Sequence, residues 1–193
     1  MTRRRVIPVV VLAMFSLAVS ACGDDAAQST ATTTPAGMSD EEVVIAAAPI
    51  CDTLAADLAA FEAIQFTGNE AISAYYDHGP AYRKAAATMS ELGFSAESAP
   101  DASELVTRLG AAADGWDVFH AAVQAEIAAI DSPVDSIFVT EAGEVYIIVA
   151  DQEEIVTGGI PPNLYLTVAA AEVVVGVTAR SLGLTACLPH SAG

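Results

Sequence analysis

Apolar residues recur at three- and four-residue steps through much of the chain, the spacing that gathers them on one face of an α-helix. The first such series is Val43, Ala47, Ile50, Leu54, Leu58 and Phe61. It follows "SDEE", in which Ser39 as N-cap and Glu42 three residues later form a capping box. Pro49 lies inside the series and predicts a kink or a restart, because proline offers no backbone N–H and crowds the preceding turn. A second series, Ile72, Tyr75, Gly79, Tyr82, Ala86 and Met89, follows a second box at Thr67 and Glu70. Gly79-Pro80 should divide it into two short helices or bend one, and Gly93 should end it. The third series is the most regular. After a box at Asp101 and Glu104 come Leu105, Leu109, Ala112, Trp116, Phe119 and Val123, then Ile130, with Glu126 where another seam residue would fall. Steps that alternate between three and four suit packing in a helical bundle.

Two later segments are less plain. "SIFVTEAGEVYIIVAD", residues 136 to 151, reads as a β-hairpin about a glycine-containing turn. It also reads as a helix from Glu141, because Val145, Ile148, Val149, Gln152, Ile155 and Val156 take helical steps and Gly158-Gly159 would stop them. The helical surroundings and the length of the periodic run favour the helix. "NLYLTVAAAEVVVGVTARSL", residues 163 to 182, is apolar on almost every side, which predicts a helix buried in the middle of a domain with Gly183 as its C-cap. Glu172 interrupts it, and no apolar run around that charge reaches the roughly 20 residues a membrane span requires. The fold class expected is all-α: one bundle of four or five helices over residues 39–193, with a short β-hairpin near 136–150 as the variant.

The N-terminus follows another logic. Arg3, Arg4 and Arg5 precede an apolar run from Val6 to Val19, and small Ser20 and Ala21 come next. Basic, apolar, small is the layout of a secretory signal peptide. The run has 14 residues, short of the roughly 20 that span a bilayer. It ends in "VSAC", Val19 to Cys22, which resembles the lipobox of bacterial lipoprotein precursors. The resemblance implies a diacylglyceryl thioether on Cys22, cleavage before it, and a mature chain that starts there. Two or three acyl chains on one residue make an effectively permanent anchor, since each buried methylene contributes about 0.8 kcal/mol. The expected organisation is signal peptide 1–21, lipidated cysteine and tether 22–38, and helical domain 39–193. The expected location is the extracytoplasmic face of the cell membrane. "TRRRVI" leaves both general and twin-arginine export open. "GDDAAQSTATTTPAGM" has no large apolar residue before Met38, so it should act as a coil spanning about 20 to 25 Å.

Charge narrows the partners. All 25 acidic residues follow Cys22, but only four basic ones do: Arg83, Lys84, Arg108 and Arg180. Such a domain repels nucleic acid and anionic headgroups. The partners expected are the membrane through the lipid on Cys22, and an envelope protein or a small ligand; nucleic acid is excluded. One lysine against six arginines, with abundant alanine, points to a high-GC genome and accords with an actinobacterial lipoprotein. With Cys22 acylated, Cys51 and Cys187 remain as an even pair that an oxidising compartment would bridge.

Motifs for chemistry are sparse. His78, His120 and His190 belong to no metal-ligand spacing, no Gly-x-Ser-x-Gly elbow occurs, and there is no phosphate loop, calcium loop or haem site. No cofactor, metal or catalytic residue is therefore assigned. His78, beside Asp77, Tyr75 and Tyr76 at a helix break, reads as a solvated helix end, with a polar pocket or a metal half-site as the alternatives. His120 shares a helix face with Trp116 and with Asp117, its expected ion-pair partner. Glu172 stands apart as a charge in a segment that should be buried, where a carboxylate costs several kcal/mol unless paired. Arg83, Lys84 and Arg108 are its candidate partners. Glu172, Trp116, Tyr82, His120 and His78 make up the expected ligand pocket. A non-catalytic binding or interaction domain is the expected role, with a carrier or sensor of a small apolar ligand or metal ion as the alternative.

Overall fold

The first helix, α1 (Asp40–Glu62), starts where the capping box places it: the Glu42 carboxylate accepts from the Ser39 N–H at 2.9 Å and from its hydroxyl at 3.0 Å. It runs through Pro49 without a restart. Val43, Ala47, Cys51, Leu54 and Leu58 are its buried face. The structure is a computed structural model, and it describes residues 37–64, 68–149, 155–157 and 159–187. The export signal, Cys22 and nearly all of the tether lie outside the described residues, as do Thr67 of the second expected box and His190.

The second apolar series divides at Gly79-Pro80 into α2 (Asn69–Tyr75) and α3 (Gly79–Ser90). Helix α4 (Pro100–Ala129) carries the long seam, with Leu105, Leu109, Ala112, Trp116, Phe119 and Val123 all buried. Ile127 extends that seam, in place of the expected Ile130. The box expected at Asp101 and Glu104 does not form. Pro100, whose fixed φ suits a first helical position, starts α4 earlier, and Glu104 instead accepts from Arg108 at 2.6 Å. The free amide of Ala102 donates to Asp40 Oδ1 at 3.0 Å, so the first residue of α1 caps α4.

The helix expected from Glu141 is overturned, and the hairpin is present. β1 (Val134–Val139), β2 (Val145–Val149) and β3 (Ile155–Thr157) form an antiparallel sheet in the order β1-β2-β3. Val145, Ile147 and Val149 are buried in strict alternation, the two-residue period of a strand with one face on a core. Gly143, at φ +80°, turns the chain between β1 and β2, and Thr140 closes the turn by accepting from the Gly143 N–H at 2.9 Å. Phe138 and Tyr146 sit opposite each other in the register and stack, with ring centroids 5.0 Å apart. Helix α2 pins β1 at two points. Asn69 Oδ1 accepts from the Val134 N–H at 2.8 Å, and the Tyr76 hydroxyl donates to the Ile137 carbonyl at 3.2 Å.

The last helix, α5 (Pro162–Ser181), packs along α4, where Val168 comes against Gly115. It is not the central helix its composition suggested. Val168, Val175, Gly176 and Ala179 are buried, whereas Leu166, Val173 and Val177 are 44%, 65% and 59% exposed. One side meets α4; on the other, the turn at Gly143 comes against Leu166 near the start of the helix, while Val173 and Val177 lie open. By length and composition alone, α1 and α5 are apolar enough to cross a membrane, with mean hydropathies of 1.7 and 1.3. In the fold, each packs one side against the domain.

Gly183, at φ +82°, ends α5 as a left-handed cap. Its N–H donates to the Arg180 carbonyl, and the Leu184 N–H reaches back to Ala179 at 2.9 Å. This turn directs the chain into a 3-10 turn, Thr185–Cys187, where Cys187 is joined to Cys51 of α1. The bridge closes a sequence separation of 136 residues, with Cα atoms 4.5 Å apart.

Candidate functional site

Helices α3, α4 and α5 converge on Glu172. Its Oε1 accepts from the Tyr82 hydroxyl at 2.7 Å and from Trp116 Nε1–H at 2.9 Å. The cationic partners expected for it are committed elsewhere: Arg83 pairs with Asp117 and Asp114, Lys84 with Asp57 at 2.8 Å, and Arg108 with Glu104. Two neutral donors thus do what a salt bridge was expected to do. Burial raises the Glu172 pKa above the ordinary carboxylate value, while the two hydrogen bonds pull it down. The Tyr82 phenol is pushed up by burial and then by the Glu172 charge. Tyr165 moves the same way for the same reasons.

His78 belongs to this neighbourhood, but not as a solvated helix end. Its ring lies between Phe61, at a centroid distance of 4.7 Å, and Trp116, at 4.1 Å. Both ring nitrogens are buried and make no well-aligned hydrogen bond. Burial lowers its pKa to about 4, against the opposing pull of the Tyr75 backbone and the Asp77 charge. The imidazole is neutral at physiological pH and packs as an aromatic disc. Phe119 links this group to Tyr76 and Tyr165, at centroid distances of 5.6 Å and 5.5 Å. Four of the five expected pocket residues, Glu172, Trp116, Tyr82 and His78, therefore come together.

His120 faces the other way, toward α2, and its expected pairing with Asp117 is overturned. Asp117 is held by Arg83, on the side of α4 that meets α3. His120 Nδ1 instead lies 3.3 Å from Asp77 Oδ1, and its Nε2 lies 3.0 Å from Ser73 Oγ. Gln124 Nε2 donates to the same Ser73 Oγ at 3.1 Å. Ser73 and Asp77 are four residues apart on and just after α2, and His120 and Gln124 are four apart on α4. Two facing i, i+4 pairs interlock. Nothing in the chain alone says that these two faces meet.

A shallow groove of about 280 Å³ lies between α1 and α3, lined by Pro49, Ile50, Leu54, Ala81 and Ala85, with the Lys84–Asp57 pair at its edge. Among the described residues no group of three His, Cys, Asp or Glu side chains is placed to hold a metal ion. Comparison with protein-family models, with curated proteins and with solved structures finds no match to this chain.

Proposed function

We propose that the protein is an extracytoplasmic interaction module, tethered to the membrane by lipid on Cys22, whose helix α5 docks an apolar surface of another envelope protein. The observation that carries this reading is the exposed stripe of Leu166, Ala170, Val173, Val174 and Val177. Burying one valine or leucine side chain is worth about 1.5 to 3 kcal/mol, so leaving several in water forgoes a large stabilisation. The stripe also carries no acidic side chain, in a chain with 25 of them; its one exposed charge is Arg180 at the far end. A net charge of −18 disfavours a second copy and an anionic bilayer as the occupant. A partner with an apolar face bordered by basic side chains suits both the stripe and its acidic surroundings.

The test is a photo-reactive residue at Val173 of the full chain, cross-linked in the envelope of its own host. One cross-linked protein, contacted through apolar residues flanked by Lys or Arg and lost in Val177→Asp, is the expected outcome. Cross-links only to lipid, only to a second copy, or to nothing overturn the docking. Mass spectrometry of the same sample should show acyl chains on Cys22; an unmodified Cys22 in a chain retaining residues 1–21 overturns the tether. The groove between α1 and α3 supports a second reading, carriage of one small apolar molecule. Native mass spectrometry that finds only the bare polypeptide removes it.

A further inference from the structure

The interlocked pairs on α2 and α4 form a polar chain of two hydrogen bonds and one close histidine–carboxylate contact. The Asp77 carboxylate, with Oδ1 3.3 Å from His120 Nδ1, favours the proton on that nitrogen. Nε2 is then an acceptor, and the Ser73 hydroxyl donates to it at 3.0 Å. The Gln124 amide donates to the oxygen of that hydroxyl at 3.1 Å. Nucleophilic catalysis needs a hydroxyl within hydrogen-bond reach of a base, and a third group that orients the base. All three are present, and they come from two elements held together by the core beneath them. None of the four residues is bound to a competing cation among the described residues. The His120 side chain is 17% and that of Asp77 40% exposed, so the cluster opens to solvent.

From this geometry we infer that Ser73, His120 and Asp77 form a nucleophile–base–orienting triad that hydrolyses unhindered carboxylic esters. Ser73 Oγ attacks the ester carbonyl and its proton passes to His120 Nε2. The bond from Oγ to the acyl carbon forms, the bond to the leaving oxygen breaks, and His120 gives its proton to the departing alcohol. Water then attacks the acyl-serine, losing a proton to Nε2, and the acid leaves as Ser73 recovers its hydrogen. The Gln124 amide, 3.1 Å from Ser73 Oγ, would be the donor to the developing oxyanion. Asp77 touches no reacting atom and is a positioning residue.

The full chain, purified in detergent, is exposed to a fluorophosphonate probe and mapped by peptide mass spectrometry, with turnover of 4-nitrophenyl acetate followed in parallel. Ser73 should be labelled far faster than the exposed Ser90, and Ser73→Ala should lose both the label and the turnover. Gln124→Ala should slow acylation about 10²-fold or more. Asp77→Asn should slow it by roughly 10³ to 10⁴, because the carboxylate that favours the productive tautomer of His120 is then gone. Asp77→Glu should recover part of that loss, and circular dichroism should show the Asn and Glu variants folded alike. A Ser73 labelled no faster than Ser90, or turnover that survives in Ser73→Ala, overturns the inference and leaves the cluster as a structural tie between α2 and α4.

Discussion

His78 is held as a neutral aromatic ring, and that has a cost in acid. Its pKa is about 4 in the fold, against 6.5 when exposed, so between these values the unfolded chain binds more protons than the native one. Stability should therefore rise with pH through this window and be lost as pH falls from 6.5 toward 4, by up to about 3 kcal/mol. Glu172 works in the opposite direction. Its folded pKa is raised, so its contribution is fully present below the ordinary carboxylate value and is lost as pH rises. Urea denaturation from pH 4 to 8 separates the two. His78→Phe should remove the acid loss, because Phe keeps the stack on Trp116 and no well-aligned ring-nitrogen hydrogen bond is forfeited. Glu172→Gln should remove the decline at higher pH, because an amide oxygen still accepts from Tyr82 and Trp116. An unchanged profile in either variant would falsify the assignment. Glu172 was legible in the sequence as one charge in an apolar run. Its partners were not, because Arg83 and Lys84 had nearer carboxylates in Asp117 and Asp57, which only the fold brings into reach.

At the scale of elements, the contact between α3 and α4 depends on an absent side chain. A Cβ on Gly79 would fall 2.0 Å from Asp117 Oδ1 and 3.1 Å from the Ala113 carbonyl oxygen. Gly79→Ala must push α3 off α4 or break the Arg83–Asp117 pair, and should cost about 1 to 3 kcal/mol in chemical denaturation. A change below about 0.5 kcal/mol, the usual size of an ordinary surface effect, would show that the contact yields freely. Legibility also varied by element. The α4 seam could be read because Leu105 to Val123 repeat without ambiguity. β2 could not, since Val145 and Val149 fit both a two-residue and a helical period, and only the burial of Ile147 decides between them. Helix α5 was misplaced because an apolar surface all round does not say which side finds a neighbour. The grouping of His120 with Ser73 and Asp77 was not legible, because neither helix alone contains more than part of the cluster.

At the scale of the molecule, the two ends of the domain are joined at Cys51 and Cys187. Closing a loop of 136 residues should remove enough unfolded-state entropy to contribute about 4 to 5 kcal/mol. Reduction under native conditions should then lower the melting temperature by roughly 10 to 20 °C. Equal melting of the oxidised and reduced protein would mean that the bridge adds nothing to the packing of α1 against the closing turn.

The same bond sets how the domain bears tension. A pull entering at Ser39 and resisted at α5 has two covalent routes. One follows the chain from Cys51 through α2, α3, α4 and the sheet. The other crosses the sulfur bridge to Cys187 and meets α5 from its C-terminal end after a few residues. The shorter route goes taut first. Only the first turns of α1 and the short segment after α5 lie in line with the load, while the long intervening loop hangs slack beside it. If lipid on Cys22 holds the domain as proposed, a pull through that tether would leave most of the core unstrained.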